Sequence, residues 1–387
     1  MPERIDKRHC AGEVGYLVIY DFLVIGGGIS GASAAYELAA QGSVLLLEAE
    51  ATAGYHSTGR SAALFTRNFG GPVVRQINAT SAAFFLNPPA GFCDMPLLTP
   101  RGSLTVAMPE NEACLDAVLA LSELGQEVVE ISPSDACEMV PFLRPDRVTR
   151  AAYEANVSDI DVATLHLAYL KGAKQRGAVI ATKQPVAGLE RADGFWKAAT
   201  KTDQYRAATI INAAGAWADV IGEMAGARSI GLVPKRRTGI IIDAPEHINV
   251  SGMPAVDFGG TEIYLKPDAG RLMASPGDAT PTEPHDAWPD DMDIAILADW
   301  ISRETQIEVE NIIHSWAGLR SFVADEAPVV GFDPKVEGFF WLAGQGGYGI
   351  MMAPALATMT ASLCISGSNR FWDFGRGVSP DRLLRSD

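Results

Sequence analysis

The residues in this chain whose types and spacing suggest chemistry are mostly small. Gly26, Gly28 and Gly31 stand at the spacing of a dinucleotide-binding loop, with Ile29 and Ser30 between them. Gly26 permits a tight strand-to-helix turn, Gly28 lets the backbone approach a pyrophosphate, and Gly31 lets helix and strand pack closely. The helix that opens there offers free N–H groups and a positive dipole end to phosphates. Glu48 follows at the end of the next apolar run, where its carboxylate would accept hydrogen bonds from a ribose diol and repel a 2′-phosphate. A second stretch, Ala53 to Thr66, brings Ser57, Thr58, Gly59 and Ser61, with hydroxyls and flexible backbone near those phosphates. The same residues also suit a capped turn with no ligand. A third, Asn212-Ala-Ala-Gly215 before Trp217, ends an apolar run in small residues that let a backbone pass close to a nucleotide. A fourth is Gly344-Gln-Gly-Gly-Tyr-Gly-Ile350.

The pattern around these loops supplies elements to position them. Phe22 to Ile25 reads as a buried strand, Ala32 to Ala40 as a small-residue helix, and Val44 to Leu47 as a second strand. Helices are expected at Leu115–Leu124, Ala163–Arg176, Asp293–Thr305 and Met351–Ser366, and apolar strands at Val179–Thr182, Ala208–Asn212 and Phe339–Ala343. Gly194–Thr202 suggests a meander. Arg237–Asp243, Glu262–Lys266 and Arg271–Ser275 read as antiparallel strands, the last two joined by the turn Pro267-Asp-Ala-Gly270. Nucleotide-type segments thus alternate with strand-rich insertions. The expected fold is α/β: a Rossmann-like nucleotide domain from residues 19–75, 150–225 and 325–387, interleaved with an α+β domain on an antiparallel sheet from 76–149 and 226–324. Residues 1–18 read as an extension ahead of the fold.

Composition narrows the function classes. A chain of 387 residues suits two connected domains, and 48% hydrophobic with 20% charged residues is a globular composition. The net charge of −16 argues against nucleic acid and anionic membrane surfaces as partners. No uninterrupted apolar run reaches the roughly 18 residues of a membrane span, and no secretory leader is recognised at the start. Five scattered cysteines without CxxC spacing suit a reducing compartment, so a cytoplasmic location is expected; they give no metal site.

Together these motifs resemble the D-amino-acid oxidase superfamily of FAD-dependent oxidoreductases. The Gly26/Gly28/Gly31 loop with Glu48, Gly59-Arg-Ser-Ala62, Asn212-Ala-Ala-Gly215 and Gly344–Gly349 carry the resemblance. More narrowly, GYHSTGRSAA, NPPAGFC, PKRR, YLKPDAG, WAGLRSFVAD and GQGGYGI run in the order seen in bacterial D-arginine dehydrogenases. The resemblance implies non-covalent FAD, with no cysteine between Trp316 and Val330 for a covalent link. It places the pyrophosphate on Gly26–Gly31 and the ribose on Glu48. Ser57, Thr58, Arg60, Ser61, Ala62 and Ala63 would run toward the flavin, with Ala214, Gly215 and Trp217 alongside. The Val186 backbone would hold the adenine, and Gly346, Gly347, Tyr348, Gly349 and Ile350 would cradle the pyrimidine end.

The same resemblance implies that Arg320, Arg237 and Tyr264 hold a substrate carboxylate, which two guanidinium forks and a phenol suit. Their alternative is a structural salt bridge or strand-face role. Leu64, Phe69, Ser103, Asp257 and Gly347 fall at pocket positions. Ser103 stands where those relatives carry a glutamate for a guanidinium, Leu64 where they carry a histidine, and Phe69 where they carry a tyrosine. A cationic side chain would therefore lose a partner. Asp257 is expected to be an exposed strand-end acid, or, if it faces the pocket, a partner for an amine. The implied activity is oxidative deamination of a D-amino acid by a dehydrogenase or oxidase: hydride from Cα to flavin N5, then hydrolysis of the imino acid to a 2-keto acid and ammonia. The electron acceptor is not specified by the sequence. The alternatives are a 2-hydroxy-acid oxidoreductase, with His56 as the nearby base, and a non-catalytic flavin-binding or electron-transfer subunit.

Overall fold

The computed structural model describes residues 18–121, 128–367 and 373–384. The expected 1–18 extension lies outside them but for Val18, as does the end of the helix expected at Leu115–Leu124.

Two large sheets face each other across the site. The first has eight strands: β1 (Ile19–Ile25), β2 (Val44–Leu47), β9 (Val179–Ala181), β10 (Gly188–Ala192), β11 (Phe195–Ala199), β12 (Gln204–Asn212), β19 (Val329–Phe332) and β20 (Phe339–Ala343). Its centre, β20-β12-β1-β2-β9, is parallel, with an antiparallel β10-β11 meander and β19 attached. Parallel strands are covered on both faces, which is why Leu23, Val24 and Leu45 to Leu47 form unbroken apolar runs with almost no exposure. Helices α1 (Ile29–Leu38), α2 (Pro72–Leu86) and α5 (Val162–Gln175) and the long α8 (Gly349–Ser366) pack around this sheet. The alanines of α1 let α8 approach closely.

The second sheet has nine strands: β5 (Ser103–Ala107), β6 (Val128–Ile131), β7 (Arg150–Glu154), β13 (Val233–Ile242), β14 (Ala255–Phe258), β15 (Tyr264–Asp268), β16 (Arg271–Ser275), β17 (Thr280–Pro281) and β18 (Ile312–Phe322). Its order is β18-β13-β16-β15-β14-β5-β7-β6, with β17 on the far end of β13. It is antiparallel except where β14 runs parallel to β5. Helix α7 (Asp291–Glu304) covers its back, where Leu104, Val106, Ile240, Leu265 and Leu297 form a core of their own. Strands β3 (Leu64–Phe65), β4 (Leu98–Pro100) and β8 (Ser158–Ile160) make a small third sheet. Short helices α3 (Cys114–Leu119), α4 (Pro133–Met139), α6 (Ala218–Met224), α9 (Gly375–Val378) and α10 (Asp381–Leu384) complete the described chain.

Strands of the two sheets alternate along the chain, and two elements lie outside the bounds expected for their segments. Strand β7 pairs in the nine-stranded sheet, and α2 packs against α8 in the first core. Helix α8 is long and apolar enough to cross a membrane by length and composition, and 67% of it is buried inside the fold.

Candidate functional site

A cavity of about 460 Å³ runs between the two sheets. Its first end is a cradle of backbone. Gly26 has φ +105°, and a side chain there would strike the Ala213 carbonyl; one on Gly31 would strike the Gly26 carbonyl. At Gly28 a Cβ would press on Thr58 Oγ1 at 3.2 Å. The N-terminus of α1 thus meets the cavity, where the N–H groups of Gly28 and Ser30 have no side-chain acceptor among the described residues. Glu48, almost fully buried, ties this loop together: its carboxylate accepts from Gly27 N at 2.7 Å and from Glu50 N at 2.8 Å. It still lines the cavity and keeps lone pairs for a diol.

Two further contacts fix the loop from outside its own segment. Thr58 Oγ1 accepts from Ile29 N at 2.9 Å, capping α1 from 29 residues away. His166, on α5, bonds the Gly27 carbonyl through Nε2 at 2.8 Å. Burial lowers its pKa, so the neutral ring with a proton on Nε2 satisfies that carbonyl. Its ring also fills the space a side chain on Gly54 would need. Nothing in the sequence near the glycines marks His166, because the contact is set by how α5 packs.

The second loop proves more structural than its composition suggests. Ser57 Oγ donates to Leu319 O at 2.7 Å. The Arg60 guanidinium is committed to Asp286 and to the carbonyls of Ala287 and Ala317, while Trp316 Nε1 donates to Arg60 O at 3.0 Å. Arg60 therefore clamps the loop to β18, and its charge is neutralised there. Ser61 and Ala62 line the cavity; Ala63, at φ +42°, turns away and accepts from Ile160 N. His56 Nε2 lies 3.0 Å from Glu50, with its ring against Trp217.

At the opposite end, the face of the nine-stranded sheet carries the charges. Arg237 on β13 pairs across from Gly318, and Arg320 on β18 from Lys235, so both arginines point off the same face. Neither makes an ion pair or side-chain hydrogen bond among the described residues, and Arg237 Nε is buried with no partner. Burial, and then the neighbouring Arg320, lower the Arg237 pKa. Two adjacent guanidiniums without an anion in a half-buried site are costly unless a ligand supplies one. Gly347 makes room: a Cβ there would lie 3.0 Å from Arg320 Cζ. Tyr264, on β15, lines the same end of the cavity. The N-terminus of α8 opens just behind, with Gln345 bridging to Ser30 at the start of α1. Two helix N-termini therefore converge on one cavity.

The structure gathers most of the expected residues on the cavity wall: Gly26, Gly28, Ile29, Ser30, Glu48, Val186, Ala214, Gly215, Trp217, Gly346, Gly347, Gly349 and Ile350, with Arg237, Tyr264 and Arg320. Gly31 lies behind the wall, as a packing glycine should. Tyr348 also lies off it, its ring against Phe69 at 5.2 Å and Phe322 at 6.4 Å. Burial raises its pKa. Leu64, Phe69, Ser103 and Asp257 are likewise not on this wall. Asp257 is not the exposed strand-end acid expected: it is half-buried within β14, directly opposite Tyr264, and Ser103 Oγ donates to it at 3.1 Å. Burial pushes its pKa to about 6. The sequence does not mark Thr238, Met273 and Trp316 on the wall, because they enter it only through sheet register, nor Gln184, which the loop after β9 brings in with its N donating to Glu48 O.

Comparison with known proteins agrees with this geometry. Residues 21–363 match the family model DAO, described as FAD dependent oxidoreductase. Human mitochondrial dimethylglycine dehydrogenase is 26% identical over 376 residues, covering 90% of this chain but 43% of its own length. Glycine oxidase of Geobacillus kaustophilus is 23% identical over 363 residues, covering 89% of this chain and 92% of the oxidase. Its crystal structure superposes with a TM-score of 0.79. L-proline dehydrogenase from P.horikoshii superposes with a TM-score of 0.82 at 22% identity, over 95% of this chain and 98% of that one. The observed cradle fits FAD: glycine backbone at the start of α1, the buried acid Glu48 on the wall beside it, and a cavity that reaches the N-terminus of α8. None of the described cysteines lines the cavity.

Proposed function

The chain belongs to the DAO family of FAD-dependent oxidoreductases, and from that premise we propose that it oxidises the amine of an α-amino acid. The observation that carries this reading is the pair Arg237 and Arg320, side by side on one sheet face, without an anion, at the end of the FAD cradle. A substrate carboxylate supplies the missing charge. Each guanidinium can present two parallel N–H donors to it, and Tyr264 can add an O–H. Bound FAD supplies the two-electron acceptor for hydride from the substrate Cα.

The protein's part is positioning. Arg237 and Arg320 fix the carboxylate, which leaves Cα and its amine little freedom to turn. With FAD bound, the N-terminus of α8 would offer its N–H groups to negative charge at the cofactor's pyrimidine end. Hydride loss requires a neutral amine, whose proton solvent can take. His56, the base a hydroxy-acid reaction would need, has both ring nitrogens turned toward protein carboxylates, Nε2 3.0 Å from Glu50 and Nδ1 3.8 Å from Asp286, which favours the amine over the hydroxyl. The sequence resemblance adds a D configuration. The relatives' names, which mention dimethylglycine, glycine and L-proline, do not share it, so both enantiomers belong in the test.

That test is anaerobic bleaching of the bound flavin with D- and L-amino acids, N-methyl amino acids and 2-hydroxy acids. Bleaching by amino acids supports the reading, and the better enantiomer fixes the configuration. Bleaching by hydroxy acids alone replaces it with the hydroxy-acid activity. No bleaching in FAD-loaded protein leaves a non-catalytic flavoprotein.

A further inference from the structure

Arg237 stands beside a break in its own sheet. Strand β13 pairs with β16 where Ile240 lies across from Ala274, and with β17 where Arg236 lies across from Thr280. Unbroken register would put Pro276 across from Thr238 and Asp278 across from Arg236. The chain bulges there instead, over residues 276–279. Pro276 has no N–H to give the Thr238 carbonyl. Gly277, at φ +73°, turns so tightly that a Cβ would strike Glu262. Side chains fill the gap in the ladder. Ser275 Oγ donates to Thr238 O at 2.7 Å, and Asp278 Oδ1 accepts from Thr238 N at 2.6 Å. Asp278 Oδ2 accepts from Thr238 Oγ1 at 3.1 Å and from Arg236 Nε at 3.4 Å. Thr238 and Ser275 are buried, and only 8% of the Asp278 side chain is exposed.

An unbroken strand would have satisfied Thr238 with backbone groups alone. Here a buried carboxylate takes one of those places, at the cost of desolvating a charge. In return it holds the residues on both sides of Arg237. It grips Thr238 by its N–H and hydroxyl, and Arg236 by a guanidinium whose Nη2 donates to Asp293 at 2.6 Å. Arg237 has no such bond of its own among the described residues, and its Nε is buried without a partner. The direction of its side chain is therefore set by the backbone that carries it. A bulge beside a binding site re-aims a side chain in this way. Resting on the reading above that Arg237 and Arg320 hold the α-carboxylate, we propose that Asp278 is a positioning residue: its bond to Thr238 N fixes the course of β13 at Arg237 and so the place where the substrate carboxylate is held. Thr238 reaches the cavity wall and Asp278 does not, so Asp278 acts only through the strand.

The test uses acetate as the carboxylate probe and acetamide as its neutral counterpart. Binding to FAD-loaded protein is followed by flavin absorbance and by calorimetry. The unaltered protein should bind acetate about tenfold tighter than acetamide, and Arg237→Ala should remove most of that preference. Asp278→Asn and Asp278→Ala lose the same charge, but only Asp278→Asn keeps an oxygen for Thr238 N, so the ratio between them reads the hydrogen bond. Asp278→Ala should bind acetate about fivefold more weakly than Asp278→Asn. Combined with Arg237→Ala, the two should agree within about twofold, because no side chain is left to aim. Equal acetate affinities in the two variants, or the same ratio with and without Arg237, would overturn the proposal while leaving the carboxylate reading in place. Should Asp278→Ala lose its flavin, Ser275→Ala decides. It removes the bond to Thr238 O and should weaken acetate about threefold, only where Arg237 is present; an unchanged affinity overturns the proposal. No preference for acetate in the unaltered protein, or a preference intact in Arg237→Ala, would refute the carboxylate reading and the proposal with it.

Discussion

The two walls of the cavity work by opposite means. On the cofactor wall the ligand-facing surface is backbone, and its residues matter for what they lack. Gly26 and Gly31 have no room for a Cβ, and the nearby polar side chains of Thr58, Arg60 and His166 are turned to holding loops in place. On the other wall the sheet is a carrier, and register brings the long side chains Arg237, Arg320 and Tyr264 onto one face. A cradle of backbone is specific to a cofactor common to many enzymes. A sheet face can change its substrate one side chain at a time without disturbing the cradle.

The largest effect should come from breaking the cofactor wall sterically. Gly31→Val places side-chain atoms on the Gly26 carbonyl, so flavin retention should be lost; the ratio of flavin to protein absorbance after purification checks this. Arg320→Ala is the matching cut on the other wall. It should keep its flavin yet lose about 2–4 kcal/mol of transition-state binding, roughly 30- to 1000-fold in kcat/KM. Loss of flavin in Arg320→Ala would erase the separation of the two walls.

A smaller effect concerns pH. Asp257 has its folded pKa raised to about 6, by burial first and then by Glu154 and Glu262, against the hydrogen bond from Ser103. A raised carboxylate pKa means the folded state holds the proton more tightly than the unfolded chain. The stabilisation is present below about pH 4 and is lost as pH rises through about 6. Asp257→Asn removes that loss, so it should be more stable than the unaltered protein at pH 8, by on the order of 1–3 kcal/mol, with the gap closing near pH 4.5. Thermal unfolding at the two pH values reads it; a gap independent of pH contradicts the burial argument. The smallest effect is Thr58→Val, which removes the cap on α1 and should cost about 1 kcal/mol of stability, seen as a lowered Tm.

What the sequence made legible follows the same division. The glycine loop, Glu48, Asn212–Gly215 and Gly344–Gly349 could be read because each is a local pattern, in which strand, turn and helix sit within a few residues. Strand β15, the turn and strand β16 were readable for the same reason. The roles of Arg60 and Asp257 were not. Arg60 looked like a cofactor ligand by its place in the loop, but Asp286 and the carbonyls of Ala287 and Ala317, more than 220 residues away, take up its guanidinium. Asp257 looked like a strand end because its neighbourhood is short and rich in glycine. Its burial depends on β5 running parallel beside β14, a pairing between segments about 150 residues apart.

On the proposed reading, Arg237 and Arg320 grip a substrate carboxylate. The most direct measurement is the rate of anaerobic flavin reduction by the best amino acid and by its α-amide, which keeps the amine and side chain and removes the carboxylate charge. The acid should reduce the flavin at least 100-fold faster at equal concentration, and Arg320→Ala should shrink that ratio toward unity. Equal rates for acid and amide in the unaltered protein would contradict the claim.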